Sequence, residues 1–303
     1  MKYLLAQPAS IRFQWELDVC LTSIRSLDPE TPIVLLFLED SPSYRETVEH
    51  FRGRYGNLEI HSYSDERLYM HYPPTVRPFL MWKYLGEDKT REKEDYFQID
   101  SDVIFREIPD FAAMLEGVGP DEKVCLASDC SGYLGWDYLI SRQRGKAIVE
   151  KFAGILNISV EKIRTTPGVG AQWLITKPTG QLWYHVWKDS EILYDYLIRL
   201  DSDIQKWTAE MWAQLYNLVK FGWRVEASEE LAFIRPTDPI GDWEKVKILH
   251  NAGVTGPAAG KLFFKGKYDR RTPFGDDLSF VDSTKAGKKY AEAVARVYTD
   301  NNV

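Results

Sequence analysis

Residues 31–40 read TPIVLLFLED, an apolar run closed by two acids. A nearly unbroken, β-branched-containing run of this length suits a central strand of a parallel sheet, where both faces are covered. Working outward, KYLLA (2–6) reads as a shorter strand, and Trp15, Val19, Leu21, Ile24 and Leu27 then recur at helical spacing. Ser43 to Tyr55 reads as a helix, NLEIHSY (57–63) as a strand, RPFLMWKYLGE (77–87) as a helix, and DYFQIDSDVIF (95–105) as the next strand. The order β-α-β-α-β-α-β predicts an α/β fold: an open, doubly wound, mostly parallel sheet with helices on both faces.

The later half is more mixed. KVCLASD (123–129), QWLIT (172–176), WRVEAS (223–228) and KVKILHNAG (245–253) read as strands. Helices are expected over 140–156, 178–200, 207–220 and 283–299. No repeat or low-complexity linker marks a boundary. The expectation is one domain over 1–303, with a nucleotide-binding half (1–110), an acceptor half with a metal/phosphate flap (111–271) and a C-terminal helix (272–303).

Composition narrows the functional classes. Hydrophobic residues at 44% and charged residues at 27% are ordinary for a globular chain, and the 14% aromatic share is high. The net charge of −7 does not attract polyanions, although residues 250–303 carry nine Lys and Arg against six Asp and Glu, so a local basic site is open. Cys20, Cys125 and Cys130 lack metal-ligand spacing and read as reduced, buried thiols. The start MKYLLAQPASIRFQW turns polar too soon for a signal peptide, and no apolar run reaches the roughly 20 residues of a membrane span. A cytoplasmic protein, or one in the host cytoplasm if viral, with no membrane and no obligate protein partner is expected.

Asp100 and Asp102 sit one residue apart at the end of the apolar YFQI. In an extended strand, residues i and i+2 point the same way, so the two carboxylates would converge. Converging like charges beside a core call for a compensating cation, and oxygen ligands suit Mn²⁺ or Mg²⁺. The plainer alternative is a solvated turn in which Asp102 caps a backbone amide.

The blocks RPFLMWKYL, DYFQIDSDVIF, GVGAQWLIT, WTAEMWAQLY and ILHNAG, in this order over roughly residues 1–271, resemble GT-A glycosyltransferases. The likeness is to the hydroxyproline O-arabinosyltransferase and peptidyl serine galactosyltransferase group, and more loosely to glycogenin-like family 8 enzymes. It implies a sheet that binds a nucleotide sugar, a D-x-D pair that holds Mn²⁺ against the diphosphate, and retention of anomeric configuration. Those eukaryotic enzymes carry a membrane anchor and lumenal cysteines that this chain lacks, so a bacterial or viral relative fits better.

His250 ends VKILH; by the resemblance it completes the metal set, and otherwise it is a hydrogen-bonded core residue. Lys261, Lys265, Lys267, Arg270 and Arg271 lie in KLFFKGKYDRR. This stretch reads as a flap for diphosphate, with Lys265 and Lys267 as the phosphate residues, as a groove for a nucleic-acid backbone, or as a solvated loop. Arg77 resembles a donor contact and is equally a surface arginine. Gly170 in GVG (168–170) allows close approach to a sugar or makes a simple turn, and Gln172 is placed to bond sugar hydroxyls. Gln7 and Asp40 follow the first two strands, where acids and amides of such folds meet ribose or base, or cap the surface. Asp129 and Glu210 are the candidate catalytic carboxylates, with helix capping as the alternative for Glu210.

These readings favour a metal-dependent hexosyl- or pentosyltransferase using a UDP-sugar. Among acceptors, hydroxymethylated pyrimidine DNA ranks narrowly first, with Phe263, Phe264, Tyr268, Trp207 and Trp212 as the surface for an extruded base; a protein or glycan hydroxyl follows. A sugar-nucleotide pyrophosphorylase would need a Gly-rich basic loop near the first strand, and residues 5–15 contain no glycine. A non-catalytic carbohydrate- or DNA-binding module is disfavoured by the D-x-D and His250 together.

Overall fold

The computed structural model describes residues 1–39, 44–256 and 260–300. The strands are β1 (Lys2–Pro8), β2 (Ile33–Glu39), β3 (Leu58–Ser64), β4 (Asp95–Gln98) and β5 (Val103–Phe105), then β6 (Val124–Asp129), β7 (Val169–Thr176), β8 (Arg224–Ala227), β9 (Phe233–Ile234) and β10 (Ile248–His250). A seven-stranded sheet runs β3-β2-β1-β4-β7-β6-β8, and a three-stranded one runs β5-β10-β9. The large sheet is parallel except for β7, which runs antiparallel to both β4 and β6. The expected mostly parallel α/β architecture is therefore present.

β2 shows why the core is two-sided. Val34, Leu36 and Leu38 face one cluster, shared with Phe79 and Tyr84 of the helix Val76–Glu87 and with Trp173. Ile33, Leu35 and Phe37 point the other way, onto Leu17 and Leu21 of the helix Ile11–Leu27 and onto Phe51. Alternation along the strand thus loads both faces with apolar side chains. Each such buried side chain contributes roughly 1.5–3 kcal/mol relative to exposure. The helices Gly180–Ile198 and Ala209–Lys220 cover the first face as well.

A third cluster joins Trp15 and Val19 to Ile104, Leu249, Phe263 and Tyr268, and to Tyr290, Val294 and Val297 of the C-terminal helix Gly287–Asp300. The helix expected over 283–299 thus begins later and docks by an apolar stripe. Cys20, Cys125 and Cys130 are buried and unpaired with one another. Among the described residues no helix is long and apolar enough to cross a membrane.

The reading of residues 95–105 as one strand is corrected. Asp95–Gln98 pairs with β1 and β7 in the large sheet, whereas Val103–Phe105 leaves it and pairs with β10. The residues between them turn, and Asp100 and Asp102 lie in that turn. Their convergence therefore comes from the turn and not from the two-residue repeat of a strand.

Candidate metal and donor site

The turn sits where the parallel strands β1 and β4 end, the usual place for a ligand in an open α/β sheet. Antiparallel pairing of β5 with β10 sets His250 opposite Val103, and the Asn251 amide donates to the Asp102 carbonyl at 2.9 Å. This ladder carries a histidine from the far end of the chain to the two acids. His250 Nε2 lies 3.5 Å from Asp100 Oδ2 and 3.3 Å from Asp102 Oδ1. One ligand atom from each of Asp100, Asp102 and His250 fits within 4.8 Å of the others. Two oxygens and an imidazole nitrogen at this spacing fit a hard divalent cation such as Mn²⁺ or Mg²⁺.

Charges surround the three. Lys265 Nζ donates to Asp102 Oδ2. Behind it Glu16 accepts from Ser101 Oγ at 2.6 Å and from Arg12 Nε at 3.0 Å. Arg77 spans the other side, donating to Asp100 Oδ1 at 2.6 Å and through Nε to Glu210 Oε1 at 3.2 Å. Asp100, Asp102, Glu16 and Glu210 thus share Lys265, Arg12 and Arg77 with the His250 ring; burial makes that ring less basic, and Asp102 and Asp100 more than offset this.

Burial pushes the Asp102 carboxyl up, but the Lys265 ammonium and the His250 ring outweigh this and hold it below the ordinary range. Burial pushes the Lys265 ammonium down, and Asp102 with Glu16 more than restores it. Glu210 moves up because burial outweighs its Arg77 partner. Asp102 therefore stays charged, as a metal ligand must.

Comparison with known proteins adds the family of folds. No protein-family model matches the chain, and neither does any curated protein. Among solved structures, the galactosyltransferase LgtC, solved with donor and acceptor sugar analogues, superposes with a TM-score of 0.52 at 15% identity, covering 98% of this chain and 96% of LgtC. The bifunctional glycosyltransferase WbbM, in its apo structure, superposes at 0.50 and 12% identity over 99% of this chain; the chain spans 51% of WbbM. This chain has a GT-A-like fold. At such identities the likeness is one of fold.

In this GT-A-like frame the residues expected from sequence divide into two groups. Asp100, Asp102, His250, Lys265, Arg77, Glu210 and Gln172 come together. Gln172, expected on a sugar, is fully buried behind His250, with Nε2 3.2 Å from the imidazole Nδ1. Asp129 stands exposed at the end of β6, accepting from the Ser131 amide at 2.8 Å, and lines a cavity of about 280 Å³ with Ser228, Glu229, Phe233 and Arg235. Phe233 also meets the His250 ring, with centroids 5.8 Å apart, so this cavity adjoins the metal centre.

The others lie elsewhere. Gln7 is buried and donates to the Leu36 carbonyl at 3.3 Å. Gly170 is hemmed in by protein: a Cβ there would meet Met211 Cε at 2.6 Å and Leu134 Cδ1 at 2.7 Å. Lys267 is exposed, its ammonium 5.6 Å from the Phe280 ring centroid. Asp40 lies outside the described residues.

Sequence reasoning missed Glu16, Ser101, Ser128 and Asn251. Asn251 is 2% exposed, and both polar atoms of its amide lack a hydrogen-bond partner among the described residues. An amide buried without a partner is costly, and a water, an ion or a ligand would complete its bonding. Its position directly after His250 was the available signal.

Proposed function

We propose that this chain is a metal-dependent glycosyltransferase that moves a sugar from a nucleoside diphosphate sugar, a UDP-sugar in our reading, to an acceptor hydroxyl. The observation that carries this is the convergence of Asp100, Asp102 and His250 at the strand ends of a GT-A-like sheet. Those three residues would hold Mn²⁺ or Mg²⁺, whose charge neutralises a leaving diphosphate. Lys265, tethered at Asp102, supplies a second positive charge on the same side, and the Asn251 amide offers a donor and an acceptor to the incoming group. Arg77 fixes Asp100 by a charge-assisted hydrogen bond. Glu210, buried against Arg77, is the residue we assign to orienting that arginine. Asp129, beside a polar cavity that adjoins His250, is the residue we assign to the acceptor hydroxyl.

We place the acceptor on a glycan or protein and not on hydroxymethylated DNA. Support comes from three of the five aromatics suggested for receiving a base: Phe263 and Trp212 are fully buried and Tyr268 is 4% exposed, which leaves Trp207 and the half-buried Phe264. The test is hydrolysis and transfer with a set of UDP-sugars, with and without Mn²⁺. Metal-dependent release of UDP is expected, and Asp102→Asn should lower it by about 100-fold or more. Release of UTP would point to a pyrophosphorylase. Absence of turnover with every donor, or turnover indifferent to chelation, would remove the reading.

A further inference from the structure

β6 ends at Asp129, and the chain that follows builds a second concavity beside the acceptor cavity. The Cys130 amide donates to the Gly168 carbonyl at 2.8 Å, which ties the short helix Ser131–Leu134 to the start of β7. Gly168 makes so close an approach possible: a Cβ there would meet Gly135 Cα at 2.5 Å and Ser131 Cα at 2.8 Å. With the helix Trp136–Ser141 these residues bound an open cleft of about 680 Å³, whose lining includes Ser131, Gly135, Trp136, Tyr138, Arg142 and Gly168. That volume lies within the roughly 300–1,000 Å³ of ligand clefts. Seven of the ten tryptophans are buried, and Trp136, half-buried in this cleft, is one of the three that are not. Tyr138 is fixed beside it. Its hydroxyl accepts from the Gln205 amide at 2.9 Å, and the Arg142 guanidinium lies 4.8 Å from its ring centroid.

We propose that this cleft takes the chain of a neutral oligosaccharide acceptor, with the terminal hydroxyl at Asp129 and the units behind it on Trp136 and Tyr138. The proposal deepens the transferase reading and rests on it for the direction in which the chain lies. Continuity carries it. Ser131 lines the cleft and its amide donates to Asp129 at 2.8 Å, while Asp129 lines the smaller cavity that adjoins His250. Tyr133, on the same short helix, has Arg235 of that smaller cavity 5.5 Å from its ring centroid. A pyranose offers a face of C–H groups and a rim of hydroxyls, which an aromatic face bordered by polar groups matches. Charge selects the neutral kind: Arg142, the cation of the lining, is paired with Asp203 at 3.0 Å, so an acidic sugar finds no free partner there. A peptide is less well served. β7 lies between β4 and β6, and β6 between β7 and β8, so neither strand offers a free edge to which an extended chain could add. A proline-rich peptide, which docks on aromatic grooves without a strand edge, is the rival occupant.

Binding measured by isothermal titration, without any transfer reaction, tests the proposal. Glucose, mannose and galactose are compared with cello-, malto-, laminari-, manno- and galactotetraose, and with a polyproline peptide. At least one tetraose should bind about tenfold more tightly than its monosaccharide, and Trp136→Ala should remove that gain. Gly132→Leu is the second variant. Gly132 lines the cleft and a Cβ there meets nothing within 4 Å, so the leucine obstructs the groove without disturbing the packing, and it should remove the gain as well. No gain from monosaccharide to tetraose in any series, or a gain that survives both variants, overturns the proposal. So does polyproline binding that exceeds every tetraose and is lost in Trp136→Ala, which would give the cleft to a peptide. Mn²⁺-dependent UDP binding is the separate measure of the donor site: its absence beside a tetraose gain that both variants abolish removes the transferase reading and leaves the glycan cleft standing.

Discussion

Asp102 turns its two oxygens to different partners, Oδ1 toward the His250 ring and Oδ2 toward the Lys265 ammonium. A bound metal would draw on the same carboxylate, leaving the Lys265 ammonium within reach of whatever the metal holds. Lys267, two residues on, lies exposed over Phe280. Two lysines of one motif thus divide in role. Lys265→Ala should weaken UDP binding by about 10–100-fold, the range of a hydrogen bond between charged groups. Lys267→Ala should leave UDP affinity unchanged. Isothermal titration of both variants at fixed Mn²⁺ decides the matter: equal losses would show an undifferentiated basic loop in place of a single phosphate residue.

The helix that presents Arg77 is anchored at its start. Arg67 donates to both oxygens of Asp65, at 2.9 and 2.8 Å, and to Thr75 Oγ1 at 2.8 Å, just before the helix Val76–Glu87. Burial pushes the Asp65 carboxyl up, but Arg67 outweighs it and the group lies below its ordinary value. A carboxyl lowered on folding contributes stability that is full above its unfolded pKa and is lost as pH falls through the folded one. Allowing for a carboxylate that partly faces solvent, Asp65→Asn should cost about 1–2 kcal/mol at pH 7. Urea unfolding at pH 7 and near about pH 2.5 should show that difference shrinking in acid; a gap independent of pH would mean the clamp is steric. At this same scale the sequence was legible only in part. The two-faced burial of β2 followed from its apolar run, and the helices at Val76 and Gly180 from their periodicity. The break inside DYFQIDSDVIF carries no glycine or proline; it arises because β5 finds its partner in β10, a pairing no local pattern records. Gln172 was read toward the sugar from its place at the start of a strand after GVG, but Ala171 before it takes a left-handed φ of 62° and Gln172 lies fully buried against His250. Glu16 lies one turn from Arg12 on the same helix, and it gains its place in the site only from Ser101 and Lys265, which the fold brings to it.

At the scale of the whole molecule the charges argue against a polyanion as acceptor. The net charge is −7, so binding would depend on the stretch Lys261–Arg271 with the Lys285–Lys289 segment. The fold divides that stretch. Lys265 turns inward to Asp102, Arg271 pairs with Asp276 at 2.7 Å, and Asp269 engages Arg12 at 3.2 Å. Lys285 donates to the Thr237 carbonyl at 3.0 Å, and Lys289 lies 3.3 Å from Glu292. A base taken from its stack also needs an aromatic face; Trp207 is 57% exposed, but Phe263 and Trp212 are fully buried and Tyr268 nearly so. With UDP-sugars and Mn²⁺, duplexes containing hydroxymethylcytosine or hydroxymethyluracil should accept no label even at about 50 mM salt, where phosphate contacts are strongest. Glycan or peptide hydroxyls offered in parallel should accept it. Transfer to either duplex that falls steeply between about 50 and 200 mM salt would reverse the assignment, because counterions released from phosphate contacts produce that dependence. It would also require Lys261, Lys267 and Arg270, all exposed, to act as a phosphate track despite Asp269 beside them.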